Sequence, residues 1–289
     1  MLKRTITGIV AALFAVGVLA FRDTPALSIV VAIFTVIAAR EIEKVIGIKN
    51  KAIYYISLAF SGLVPLFYEF KPELEQRGIV IPVTEVVVIY CVVLFMLMLT
   101  DFENTKFEEV ASVIISTTFV PWSFSTLIFL NDMSETYPDK FDFHYDLFFI
   151  LLGLFAAWLS DSFAYFSGRF FGKHKLCPNI SPKKTFEGLV GGVVTVGIVT
   201  TILLVVYNNF ILGEQQLSYP VLIPLSMVAS LVGVVGDLSA SVIKREYSVK
   251  DFGNIMPGHG GVLDRFDSVI LVAPFLYVVM SMLGGYIFA

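Results

Sequence analysis

Between Gly236 and Asp267 the sequence gathers four aspartates and four Lys or Arg side chains, flanked on both sides by long apolar runs. Asp237 closes one run. Ser241 follows one helical turn on, and Lys244 and Arg245 a turn beyond, so all four can share a helix face. Asp264 and Asp267 open the next run, three residues apart and therefore on one face, with Arg265 between them. Two such carboxylates repel unless a cation is shared, and magnesium takes one or two carboxylates together with water and phosphate oxygens. Lys250 and the turn Gly258-His259-Gly260-Gly261 lie between the two runs. Clustered glycines let backbone N–H groups converge on an anion, or simply supply a tight turn needing φ > 0. A cation site beside an anion site suits phosphoryl or nucleotidyl transfer, where catalysis is positioning plus charge neutralisation. His259 fits either a loop hydrogen-bond donor or an acid–base group, and Asp267 taken alone fits an ordinary helix-dipole partner.

A second constellation starts inside the sixth apolar run. Asp161 stands about 22 Å along a helix from Asp146, within the inner half of a bilayer, where an ionisable residue marks function or pairs with a cation from another helix. Beyond it come Lys173-His174-Lys175 and then Ser181-Pro182-Lys183-Lys184-Thr185. Pro182 and Thr185 predict a helix start that offers free N–H groups and two lysines to an anion. Lys173 and Lys175 also suit anionic lipid headgroups. Gly188, Gly191 and Gly192 predict close helix packing. Cys177 and His174 have no second pair at zinc-ligand spacing, and the two cysteines offer no disulfide framework.

The elements that must hold these residues are set by composition. Of 289 residues 57% are hydrophobic and only 15% charged, and the mean hydropathy is +0.83. A soluble domain could not hide that much apolar surface, so the solvent is lipid. Nine apolar runs, near 6–21, 26–39, 52–68, 80–99, 110–130, 147–166, 189–212, 221–235 and 268–288, predict an all-α polytopic membrane protein with about nine spans. The first run resembles a signal peptide but reads better as an anchor. With the N-terminus in the cytoplasm, the outer segments hold only Arg22, Lys71, Arg77 and Lys140 of the chain's 20 Lys and Arg residues. That positive-inside bias places both polar loops on the cytoplasmic side. Pro65 and Pro121 predict kinks. A soft boundary near residue 140 divides plain apolar helices (1–140) from the region carrying the chemistry (141–289).

From Ser241 the chain reads Ser-x-Ile-Lys-Arg-x-x-x-x-Lys-Asp-x-Gly-x-x-Met-Pro-x-His-Gly-Gly-Val-x-Asp-Arg-Phe-Asp, ending at Asp267. This closely resembles the phosphatidate cytidylyltransferases, or CDP-diacylglycerol synthases. Met256 departs from the family's usual Leu, Ile or Phe. The Ser160-Asp161 and Ser181–Thr185 segments look like family features too. The resemblance implies that CTP and phosphatidate give CDP-diacylglycerol and pyrophosphate with magnesium, and it adds potassium as a second cation and a homodimer. Carried onto this chain, Asp237, Asp264 and Asp267 would serve the metal, and Lys244 and Arg245 would join them in catalysis. Lys250 would neutralise the triphosphate with those two, and Gly260 and Gly261 would contact phosphate. Lys183 and Lys184 would serve CTP or the lipid headgroup, with Asp161, Ser241, His259 and Arg265 completing the substrate set. The expected partners are CTP, phosphatidate and membrane lipid, not nucleic acid. The expected location is a bacterial plasma membrane, with the site facing the cytoplasm.

Two rival readings are separable. A CTP-dependent lipid kinase would need a base for a neutral hydroxyl, such as His259 or Asp161, and would release CDP rather than pyrophosphate. A cation-coupled transporter would place its carboxylates at the midplane with repeat symmetry, whereas here they gather on one side and no repeat is visible.

Overall fold

Backbone groups in hydrocarbon find no water, so continuous apolar runs satisfy their N–H and C=O groups within helices. The structure, a computed structural model, describes residues 2–212, 216–256, 258 and 260–288. In chain order these form α1 (Leu2–Ala20), α2 (Ala26–Ile46), α3 (Lys51–Gln76), α4 (Val83–Thr100), α5 (Phe107–Asn131), the short α6 (Met133–Thr136) and α7 (Asp146–Phe171). There follow β1 (Lys175–Cys177), β2 (Ser181–Thr185), α8 (Phe186–Val206), α9 (Tyr219–Glu246), the short α10 (Leu263–Phe266) and α11 (Val269–Leu283).

All nine apolar runs are helical. Among the described residues, seven helical segments are long and apolar enough to cross a membrane: α3, α4, α5, α7, α8 continued to Ile211, α9, and α11 continued to Ile287. The apolar part of α1, Thr7–Ala20, is shorter. α2 falls outside that set because Arg40, Glu41, Glu43 and Lys44 load its last turns with charge. The helices continue through Pro65 and Pro121.

The chain divides into two compact units. The first joins the residues up to Ile128 with Tyr247–Arg265, and the second joins Phe129–Glu246 with the residues from Phe266 onward. The loop after α9 belongs to the first unit. In that unit α2 packs on α3, where Thr35 Oγ1 donates to the Ser61 carbonyl at 3.0 Å. Ile53, Leu94, Val110 and Val113 form its buried apolar cluster with Tyr90, whose ring stacks on Phe60 and whose hydroxyl bonds Thr117 Oγ1 at 2.5 Å.

In the second unit α7, α8, α9 and α11 pack against one another around Phe148, Phe149, Leu152, Leu204, Ala229 and Leu276. The glycines of α8 allow the close approach expected of them: a Cβ at Gly188 would lie 2.6 Å from the Ala164 carbonyl oxygen, and one at Gly192 2.7 Å from that of Ser160. β1 and β2 form an antiparallel hairpin with Lys175 opposite Thr185 and Cys177 opposite Ser181. Here the expectation of a helix start at Pro182 is corrected. Pro182 lies within β2, and α8 begins only at Phe186, with Thr185 as its N-cap accepting from Gly188 N at 3.1 Å.

Candidate active site

Strand geometry decides which lysine of the pair does what. Successive strand residues point to opposite faces, so Lys183 stands exposed while Lys184 turns inward. The Lys184 ammonium, shut off from solvent, forms an ion pair with Asp237 of α9. Burial holds the Lys184 pKa below the ordinary 10.5; Asp161 and Asp267 oppose that shift and Lys244 adds to it. Lys244 Nζ lies 3.9 Å from Asp267 Oδ2, and both side chains are nearly enclosed. Ser268 joins the remaining two acids: its Oγ donates to Asp161 Oδ2 at 2.8 Å and its N–H to Asp267 Oδ1 at 2.9 Å.

Gly236 makes this arrangement possible. A Cβ there would sit 2.5 Å from the Asp267 carbonyl oxygen and 3.3 Å from Ser268 Cα, so only glycine lets α9 bring Asp237 beside Asp267. Gly236→Ala is expected to push the two apart, costing about 1–3 kcal/mol of stability and lowering turnover; thermal unfolding and rate measured together check it.

Asp161, Asp237 and Asp267 thus surround Lys184 and Lys244 in the second unit. Three carboxylates against two ammoniums leave one negative charge in excess, and carboxylate oxygen is the hard donor that magnesium prefers. Among the described residues no group of three or more His, Cys, Asp or Glu side chains forms a metal cage. Magnesium typically rests on one or two carboxylates, with water and substrate phosphate completing its shell. Arg245 Nε donates to the Ile180 carbonyl at 3.2 Å, in the turn between β1 and β2. Ser241 is buried in α9.

The other predicted residues belong to the first unit. A recess of about 470 Å³ is lined there by Lys250, Asp251, Gly253, Asn254, Met256, Gly258, Gly260 and Arg265. Gly258 and Gly260 have φ of 79° and 90°, so both need glycine, and Met256 N donates to the Gly260 carbonyl at 2.9 Å to close the turn. Asp264 Oδ2 accepts from Phe252 N at 2.8 Å and Gly261 N at 2.9 Å. The Gly261 amide is therefore committed within the loop. His259 lies outside the described residues.

Sequence reasoning overlooked Glu41. It sits on α2 and accepts from the Val262 and Leu263 amides, 221 and 222 residues downstream. Its only signal in the sequence was a carboxylate at the end of an apolar run, and Arg40 and Lys44 beside it make that look like an ordinary solvated helix end.

The profile of the Cytidylyltransferase family matches residues 2–283. The chain belongs to this family. A phosphatidate cytidylyltransferase of Bacillus subtilis is 32% identical over 288 residues, covering 98% of each chain. Phosphatidate cytidylyltransferases of Haemophilus influenzae and Thermotoga maritima are 40% identical over 157 residues and 41% over 135. Those matches cover 53% and 47% of this chain, and 54% and 50% of the relatives. The family match takes in both constellations, together with the N-terminal helices that carry Glu41.

Proposed function

We propose that this cytidylyltransferase moves CMP from CTP to phosphatidate, giving CDP-diacylglycerol and pyrophosphate for phospholipid synthesis in a bacterial plasma membrane. The observation that carries the reading is the enclosed Lys184 ammonium among Asp161, Asp237 and Asp267, with Lys244 beside them. Such a cluster can exchange its internal ion pairs for a polyphosphate and its counter-cation without a large change in net charge. The Bacillus relative, matched from end to end, supports the choice of acceptor.

A phosphomonoester is already anionic at neutral pH, so the phosphatidate oxygen needs no dedicated base. It attacks the α-phosphorus of CTP, the bond from that phosphorus to the bridging oxygen breaks, and pyrophosphate leaves with the bonding electrons. Lys184 and Lys244 would bind the phosphates and balance charge as it moves onto the leaving group. Lys250 and Arg265, which line the recess of the first unit, are proposed by residue type as further substrate-binding cations. Asp237 and Asp264 are the carboxylates proposed for magnesium, with Asp267 in support, and the ion would supply further charge neutralisation when bound. Potassium as a second cation, a homodimer and a cytoplasm-facing site complete the proposal, the last supported by the Lys and Arg bias of the polar loops.

Purified protein given labelled CTP and phosphatidate is expected to yield CDP-diacylglycerol and pyrophosphate in equal amounts, with the reaction stopped by a magnesium chelator. Release of CDP and a phosphorylated lipid would assign the kinase chemistry instead.

A further inference from the structure

We infer that Glu41 is a positioning residue for nucleotide binding: from α2 it fixes the loop that shapes the recess, an inference resting on the nucleotidyl-transfer reading above. Glu41 is only 5% exposed. One carboxylate oxygen accepts from Val262 N at 3.1 Å and the other from Leu263 N at 3.0 Å. Asp264 takes the preceding amide, that of Gly261, together with Phe252 N. Two carboxylates thereby bind three successive amides where the loop turns into α10, a place with no helical acceptor for them.

The glycines record the same contact. A Cβ at Gly253 or at Gly261 would overlap the Glu41 carboxylate, and the three nearest atoms at each position all belong to Glu41. Neither residue has a positive φ, unlike Gly258 and Gly260. Their missing side chains make room for Glu41 rather than for an unusual backbone. The segment clamped in this way carries Asn254 and Met256 of the recess wall, and it ends at Leu263, two residues before Arg265. Moving the clamp moves the wall. The N-terminal helices therefore take part in substrate placement, a role that their plain apolar sequence hides.

The test uses full-length protein in detergent, with CTP and phosphatidate as substrates. Glu41→Ala is expected to raise KM for CTP about 10-fold, the scale of losing one hydrogen bond to a charged acceptor, and to leave KM for phosphatidate within a factor of about two. Hydrogen exchange across 252–263 should quicken about 10-fold or more. Glu41→Gln, which keeps one acceptor oxygen but turns an NH₂ toward the second amide, should fall between and serves if the alanine variant does not fold. Gly253→Ala alone should reproduce the defect, and in the Glu41→Ala background it should add less than a factor of about two, because the obstruction is gone. An unmoved KM for CTP with only a smaller yield of folded protein would reduce Glu41 to a structural residue and overturn the inference. Full additivity of the Gly253 and Glu41 changes would overturn it as well. Should the wild type make no CDP-lipid, the functional reading falls. Exchange rates and the same double-variant cycle, read by thermal unfolding, would still decide the role of Glu41.

Discussion

Asp264→Asn is expected to cut turnover by about 10²–10³-fold, the scale of losing one preorganised charged group, while the protein stays folded in detergent. The reason lies in how Asp264 is used. Only Oδ2 accepts the Phe252 and Gly261 amides. An asparagine carbonyl oxygen has two lone pairs and can take both bonds, so the substitution keeps the loop and removes the charge. Asp264→Ala removes both acceptors and leaves two buried N–H groups unsatisfied, at about 1–3 kcal/mol each. The alanine variant should therefore lose stability as well as activity, and the asparagine variant chiefly activity. Rates of CDP-diacylglycerol formation beside thermal unfolding curves distinguish the two losses. Near-normal turnover by Asp264→Asn would leave Asp264 as a loop anchor and remove its charge from the chemistry.

The contrast between Asp264 and Asp161 shows what a sequence can and cannot reveal. The helices were legible because lipid leaves a continuous apolar run only one way to satisfy its backbone, and each of the nine runs is helical. The residue types of the site were legible for a similar reason: Asp161 and Asp237 are costly where they stand, so their presence asks for an explanation. Partnerships were not legible. Asp264 sits three residues from Asp267 and reads as its companion, yet its Oδ2 is bound to its own loop, while Asp161 reaches Ser268 across 107 residues. Thr185 is the helix cap its type suggested, but Pro182 concealed a strand, because proline at the start of a short edge strand and at the first turn of a helix meets the same backbone demand. That one difference separates Lys183 from Lys184. Glu41 was invisible because nothing local ties an acid on α2 to amides more than 200 residues away.

Lys184→Met is the second change with a large expected effect. It removes an enclosed ammonium paired with Asp237. Breaking a buried pair on one side leaves the other charge uncompensated, which typically costs about 3–5 kcal/mol; Asp237 keeps a fifth of its side-chain surface exposed, so the lower end applies. Turnover should fall by about 10²-fold or more, because the triphosphate loses a cation that the strand presents without reorganisation. Pairing Lys184→Met with Asp237→Asn separates the two effects: with neither charge left buried, stability should return to near the wild type while activity stays lost. Lys183→Met, on the exposed face of the same strand, should change stability by no more than about 0.5 kcal/mol. If Lys184→Met instead turned over CTP like the wild type, the ion pair would be scaffolding, and the cation that receives the phosphates would have to be Lys244. The double variant also tests the charge-exchange argument itself. A cluster that can release its internal lysine to a polyphosphate must tolerate losing lysine and aspartate together better than losing the lysine alone, and a double variant less stable than Lys184→Met would contradict it.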